Sequence, residues 1–353
     1  MGSPQTQATK PRRRFGFHRW LILALIILNV VAVRAYAPIQ PHIQAAAEVV
    51  AGPFAVPVLG ELHLTNTMIA TFIAVVLLAL MGLSYSRAVR RGTPVLRGLA
   101  GLLDTVLEAL FNLTESVAGK RARQVFPWVA TIILLVLVVN WMEIIPGVDS
   151  IGWLHEVHGE ADGYPAQELF RTGDLSVSAI VKESAPRAEG HGALYGVIPF
   201  VRAASTDLNF TLGLALVAVT LTEVMGVRAN GLRYFKKFFN FGPALKMWTR
   251  EHLGAFDVLF PFIDIFVGLL ELVAELARLI SFSFRLFGVI FAGSVVLFLI
   301  GSLVPVFVQS GFVGLELFFG LIQAMVFGML TLIFVTLATQ SHDQHGEGQP
   351  ATH

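Results

Sequence analysis

Cysteine is absent from the chain, which removes disulfides, thiolate metal sites and cysteine nucleophiles while leaving the compartment open. Charge is scarce. Only 14% of the 353 residues are Asp, Glu, Lys or Arg against 55% hydrophobic, and a mean hydropathy of +0.70 excludes a soluble domain in favour of a polytopic membrane protein. Signatures of bond-breaking chemistry are missing too: there is no zinc motif, no phosphate loop and no nucleophile beside its base. His155, His158 and His191 are too scattered to form a metal site.

Proline is absent between Pro261 and Pro305, so about 43 residues can run as one helix, roughly 65 Å long. A bilayer core of about 30 Å takes up only about 40 Å of helix even at a tilt of ~40°. The segment therefore lies strongly inclined or breaks at Gly288 or Gly293. Along it Glu271, Arg278 and Arg285 recur at heptad spacing, nearly on one face, and Glu275 stands between the first two. An ion pair to Arg278 from Glu271 or Glu275 is one plain explanation for part of this stripe. Arg285 has no such explanation, because no acid lies three or four residues from it. Placing an arginine at the centre of a membrane helix costs about 2.5 to 3.5 kcal/mol on insertion scales, so its counter-charge must come from another helix or another protein.

Taken in order, residues 1–65 comprise a basic segment with Arg12, Arg13 and Arg14, an apolar run over 20–33, and an external linker. The run reads equally as a membrane anchor or as a signal peptide ending at the A-x-A-like Ala35, Tyr36, Ala37; either places the linker outside. Residues 66–146 hold two spans joined by an amphipathic helix on the cytoplasmic surface, with Arg87, Arg90 and Arg91 before it and Lys120, Arg121 and Arg123 after it. Residues 147–205 form an external hydrophilic lobe in which acids such as Glu156, Glu160, Asp162, Glu168 and Asp174 outnumber bases. A further span and a loop bearing Arg228, Arg233, Lys236, Lys237, Lys246 and Arg250 fill 206–254. The inclined hairpin occupies 255–340 and a polar tail 341–353. The fold is thus an all-α polytopic membrane protein with about five to six membrane helices, two of them long and strongly inclined.

Sorted by depth, Asn140, Glu143, Ser294 and Glu316 fall toward the outer half, and Glu223, Asp264, Glu271 and Glu275 toward the inner half, with Arg285 and Gln323 between. An ion route with two separate mouths needs this distribution. Carboxylates can pass a proton because burial moves their pKa toward the working pH, whereas an arginine stays charged and only attracts or blocks. A secondary transporter or an ion channel subunit is the alternative. The former calls for inverted repeats, and the Arg285 segment has no second copy; a purely structural scaffold needs no isolated Arg285.

SFSFRLFGVIFAG from Ser281, IQAMVFGMLTLIF from Ile322, NWMEIIPG from Asn140 and DLNFTLGLALV from Asp207 together resemble subunit a of the membrane sector of F-type ATP synthases. The resemblance covers roughly 66–342 without most of the outer lobe. It implies a stator subunit of the bacterial plasma membrane, with a cytoplasmic C-terminus, whose two long helices press on a rotating ring of c subunits. It also implies that Arg285 faces each ring carboxylate, that Gln323 is its neighbour on the last helix, and that Glu316 is the ionisable residue there. Implied partners are the c ring, the subunit b peripheral stalk, the F1 sector indirectly and the lipid bilayer. No nucleic acid, cofactor, metal or catalysis by the chain alone is expected. The sequence departs from the family's pattern at Val289, where an asparagine is usual, and at Ser294, where Glu or His is usual, so only Glu316 can ionise at that pair of positions.

The loop charges place 87–123 and 228–250 in the cytoplasm and 147–205 outside. In this cysteine-free chain, single cysteines at Ser178 and Lys236 are expected to react with an impermeant thiol reagent from opposite sides of sealed vesicles. Labelling of both from one side would refute the topology.

Overall fold

The computed structural model describes residues 18–35, 46–56, 60–91, 98–156, 164–172, 175–180, 194–231, 234–235, 238, 255–304 and 308–340. Tyr36 and Ala37, Glu160, Asp162 and Asp174, His158 and His191, Arg233, Lys236, Lys237, Lys246 and Arg250, the tail from Ser341, and the side chain of Asp264 lie outside them. Seven α-helices are present among the described residues: α1 (His18–Ala35), α2 (Asn66–Arg90), α3 (Leu99–Ala118), α4 (Ala122–Met142), α5 (Leu208–Asn230), α6 (Ala255–Leu303) and α7 (Val308–Thr339). Five stretches are long and apolar enough to cross a membrane: α2, the α3–α4 run Leu99–Met142, α5, Ile265–Leu303 within α6, and α7. The all-α polytopic reading holds for the membrane part.

Local sequence sets where the helices start. Thr65 caps α2 by accepting from the Met68 N–H (3.4 Å), and Asp207 caps α5 by accepting from the Asn209 N–H (3.0 Å). The same Asp207 accepts from the Thr67 hydroxyl at 2.9 Å, which ties the starts of α2 and α5 together. At the opposite end Asn230 donates to the Ala338 carbonyl (3.0 Å) and Arg121 to the Thr339 carbonyl. Arg87, Arg90, Arg91, Arg121, Arg123 and Arg228 consequently gather at one end of the bundle, as the loop charges anticipate.

The amphipathic segment is α3. Its start is held to the last turns of α2 by Tyr85 donating to Asp104 (2.8 Å), and the chain beyond its end is held to α7 through Arg121, so α3 lies across the basic end. Leu103 and Leu110 are buried on its inner face. Gly119, at φ 54°, lets the chain fold back into α4, bringing the Phe111 and Phe126 rings edge to face at 5.2 Å.

The long segment does not break at either glycine: α6 is continuous over 49 residues, through Gly288 and Gly293. At about 1.5 Å per residue it is some 73 Å long, so it runs inclined or projects well beyond an apolar slab of about 30 Å. α4 is the most deeply enclosed helix, with Val129, Val136 and Val139 at 0–1% exposure, and its widest interface is with α7. Gly328 makes that closeness possible. A Cβ there would overlap Ile133 Cγ1.

Outside the helices, most of the described residues fold as β-ribbons. The hydrophilic lobe forms two-stranded antiparallel ribbons, β3 (Gly152–Glu156) with β6 (Tyr195–Pro199) and, between them in sequence, β4 (Ala166–Thr172) with β5 (Leu175–Ile180). The linker before α2 forms a third, β1 (Val49–Val56) with β2 (Gly60–Thr65). Most side chains on β4 and β5 are exposed, as expected of ribbons too thin to enclose a core.

Overpacking at the α4–α7 contact is expected to cost about 1 to 3 kcal/mol. Gly328→Val should lower the thermal midpoint of the detergent-solubilised subunit, whereas Gly82→Ala, with nothing within 4 Å of the added carbon, should leave it unchanged.

Candidate functional site

The end of α4 away from the basic residues carries a polar cluster. Asn140, 2% exposed, donates through Nδ2 to the Gly320 carbonyl of α7 (3.1 Å) and accepts at Oδ1 from the Ser205 hydroxyl (2.6 Å). The next residue, Trp141, donates to the Leu317 carbonyl at 3.0 Å. These bonds fix the last turn of α4 against α7, and Glu143 comes directly after it, buried, with Oε1 accepting from Ser294 of α6. Its second oxygen, Oε2, has no partner.

Ser294 has one hydroxyl proton and two acceptors, Glu143 Oε1 and the Ile290 carbonyl at 3.1 Å. When Glu143 is ionised, Ser294 donates to it. When Glu143 is protonated, its O–H donates to Ser294, whose own proton turns to Ile290. The pair thus accommodates either charge state without moving a helix.

Glu316 lies across from this pair on α7, with its carboxylate on the surface of Gly293. A Cβ at 293 would overlap Glu316 Oε2, so the absent side chain creates the carboxylate's place. Glu316 Oε1 and, two turns on, Gln323 Nε2 are buried without partners. Both line a groove of about 440 Å³ between α6 and α7 whose other walls are apolar, including Val289, Val296 and Phe319.

Arg285 is exposed on the flank of α6. Among the described residues its only side-chain hydrogen bond is a donation to Ser281 Oγ (3.4 Å), and no carboxylate pairs with it. It makes no hydrogen bond to Gln323. The structure therefore assembles Asn140, Glu143, Ser294 and Glu316 into one cluster and leaves Arg285 outside it.

Of the two candidate partners for Arg278, Glu275 is the one found, at 2.6 Å, and the guanidinium also lies 4.1 Å from the centre of the Phe334 ring. Glu271 is half-buried. Glu223 accepts from the Tyr234 hydroxyl at 3.2 Å. Sequence reasoning did not include Tyr234, nor Ser205, Asp149 and Arg202 at the outer end. Asp149 lies in the turn that ends α4, and burial pushes its carboxyl up to about 6 while Arg202 pulls it down. A signal for Arg202 was present: it is a basic residue in an acid-rich hydrophilic stretch, four positions before Thr206 and the start of a span.

Comparison with known proteins agrees with this architecture. The sequence model of the family described as ATP synthase A chain matches residues 67–336. ATP synthase subunit a of Teredinibacter turnerae is 28% identical over 267 residues, covering 73% of each chain. That of Gloeobacter violaceus is 28% identical over 285 residues, 79% of this chain and 86% of its own. A shorter match of 155 residues, 32% identical, joins 43% of the chain to 60% of the Aliarcobacter butzleri protein. With the family match spanning all five membrane-crossing stretches, from the start of α2 to the last turn of α7, the chain belongs to the ATP synthase A chain family.

Proposed function

We propose that the chain is the stator subunit a of an F-type ATP synthase in a bacterial plasma membrane, with its basic end and C-terminus in the cytoplasm. It couples proton flow to the rotation of a ring of c subunits, and so to ATP synthesis, without catalysing a reaction by itself. The observation that carries this reading is Arg285, an exposed cation on the flank of a long apolar helix with no carboxylate opposite it among the described residues. A guanidinium remains protonated at any working pH, and in a low-dielectric surround it needs an anion. Ring carboxylates passing in turn would supply one.

The polar clusters supply two routes. From outside, protons reach the ring through Asn140, Glu143, Ser294 and Glu316. On the cytoplasmic side Glu223, Glu271 and Glu275 form the second route, with Gln323 between the two. Arg285 stands between the routes and keeps them separate: a ring carboxylate must be ionised to pass it, so a proton cannot go straight across. Lipid surrounds the exposed apolar flanks, a subunit b stalk holds the chain still, and the F1 sector is reached through the complex.

Two substitutions test this. Arg285→Gln is expected to abolish ATP-driven proton pumping in vesicles while the subunit still inserts and co-purifies with a ring of small hydrophobic subunits; pumping at the normal rate would refute the mechanism. Glu316→Gln is expected to cut proton-driven synthesis at least about a hundredfold in an assembled complex, because the amide has no removable proton. Unchanged synthesis over roughly pH 6 to 8 would leave Glu316, more than two turns into α7, as a buried polar group with no part in the relay.

A further inference from the structure

Just beyond the outer cluster is a cavity of about 50 Å³ lined by parts of five chain segments. Glu48 comes from before β1, Asp149 from the turn after α4, Val197 and Pro199 from β6, Arg202, Ala203 and Thr206 from the approach to α5, and Ser294 and Phe298 from α6. Glu143 forms part of its inner wall. The lobe's base therefore roofs the outer end of the bundle, and it is pinned there by the β3–β6 pairing at Gly152 and Pro199 and by Arg202 donating to the Ala46 carbonyl (3.3 Å).

We propose that this cavity is the external proton intake and that Asp149 is its acceptor, passing protons through enclosed water to Glu143. The inference rests on the stator reading above and extends it to residues of the lobe. Three observations support it. Glu143 is only 8% exposed and, while Ser294 bonds its Oε1, its Oε2 has no partner among the described residues and is free to accept a proton from the cavity. Asp149 Oδ1 is likewise buried and unpartnered at the other side of the same space. By volume, 50 Å³ admits about three waters, enough for a hydrogen-bonded bridge and too few for a hydrated metal ion to retain its shell.

The charge of Arg202 separates a proton path from a cation site. Its guanidinium repels a metal ion from the two carboxylates, but a proton that moves by exchange along waters never places a bare cation beside it. In the step itself a hydronium outside gives its proton to the Asp149 carboxylate. The resulting O–H passes that proton to a cavity water, the water releases another to Glu143 Oε2, and Asp149 returns to its anion. The charged groups bearing on Asp149 are Arg202, Glu48 across the cavity and Glu143 behind it, with Glu316 deeper. Since its carboxyl is raised to about 6, Asp149 is mostly ionised at neutral pH and fills as the external pH falls through that value.

The test uses the complete synthase in sealed vesicles, with proton-driven synthesis measured against external pH at constant driving force. Wild type is expected to show an inflection near the pH at which Asp149 fills. Asp149→Asn should lose that inflection and slow synthesis about tenfold, and Asp149→Glu should restore both. A further variant, Val197→Cys in this cysteine-free chain, should be modified from outside by a small cationic thiol reagent and lose flux on modification. Asp149→Asn with an unaltered rate and pH profile, or modified Val197→Cys with normal flux, overturns the intake even if Glu316→Gln abolishes synthesis. If Glu316→Gln also leaves synthesis intact, the stator reading fails along with it.

Discussion

Polar atoms inside hydrocarbon must find partners within the protein, and the whole bundle is arranged around that requirement. Most of its hydroxyls comply locally: Thr114, Thr222 and Thr331 each donate to the carbonyl one turn back, at 2.7, 3.0 and 2.9 Å. Asn140 complies by reaching across to α7 and to Ser205. Where the rule is broken the breaks are concentrated. Of the six buried, unpartnered side-chain atoms among the described residues, those of Glu143, Asp149, Glu316 and Gln323 lie along the outer cavity and the α6–α7 groove. Such groups are expensive to keep, and their clustering marks where water, protons or another subunit must complete the structure.

Missing side chains contribute as much as those present. Gly328 brings α4 close to α7 at one depth and Gly320 does so beside Asn140 and Trp141 at another, while Gly293 opens the facing surface of α6 for a carboxylate. In a membrane, where helices gain little from leaving a solvent as apolar as themselves, closeness of backbones is a main source of cohesion. It also keeps the polar atoms within reach of one another, so packing and polar contacts depend on the same few positions.

Much of this was legible from residue pattern. The isolation of Arg285, the heptad stripe and the long apolar run are local properties of the chain: Arg285 has no carboxylate partner among the described residues, and the helix runs on through both glycines after starting ahead of Pro261. What could not be read were contacts across long sequence separations. Ser205 meets Asn140 from 65 positions away and Ser294 meets Glu143 from 151; depth put Ser294 among the polar residues without naming its partner, and nothing singled out Ser205. The choice of Glu275 over Glu271 for Arg278 depended on a side-chain direction that spacing alone leaves open. The ribbons of the lobe escaped notice because their strands bury little, and without burial there is little alternation to see.

The continuity of α6 makes it a ruler as well as a wall. Ser294 and Glu275 sit on a single rod, about 28 Å apart along its axis, and neither can shift without carrying the other. An extra residue between Arg278 and Arg285 would lengthen the rod by only about 1.5 Å but would turn everything beyond it by about 100°, taking Glu271 and Arg278 off the face they share with Arg285. The phase of the helix, more than its length, is what must be preserved for its polar residues to keep their faces.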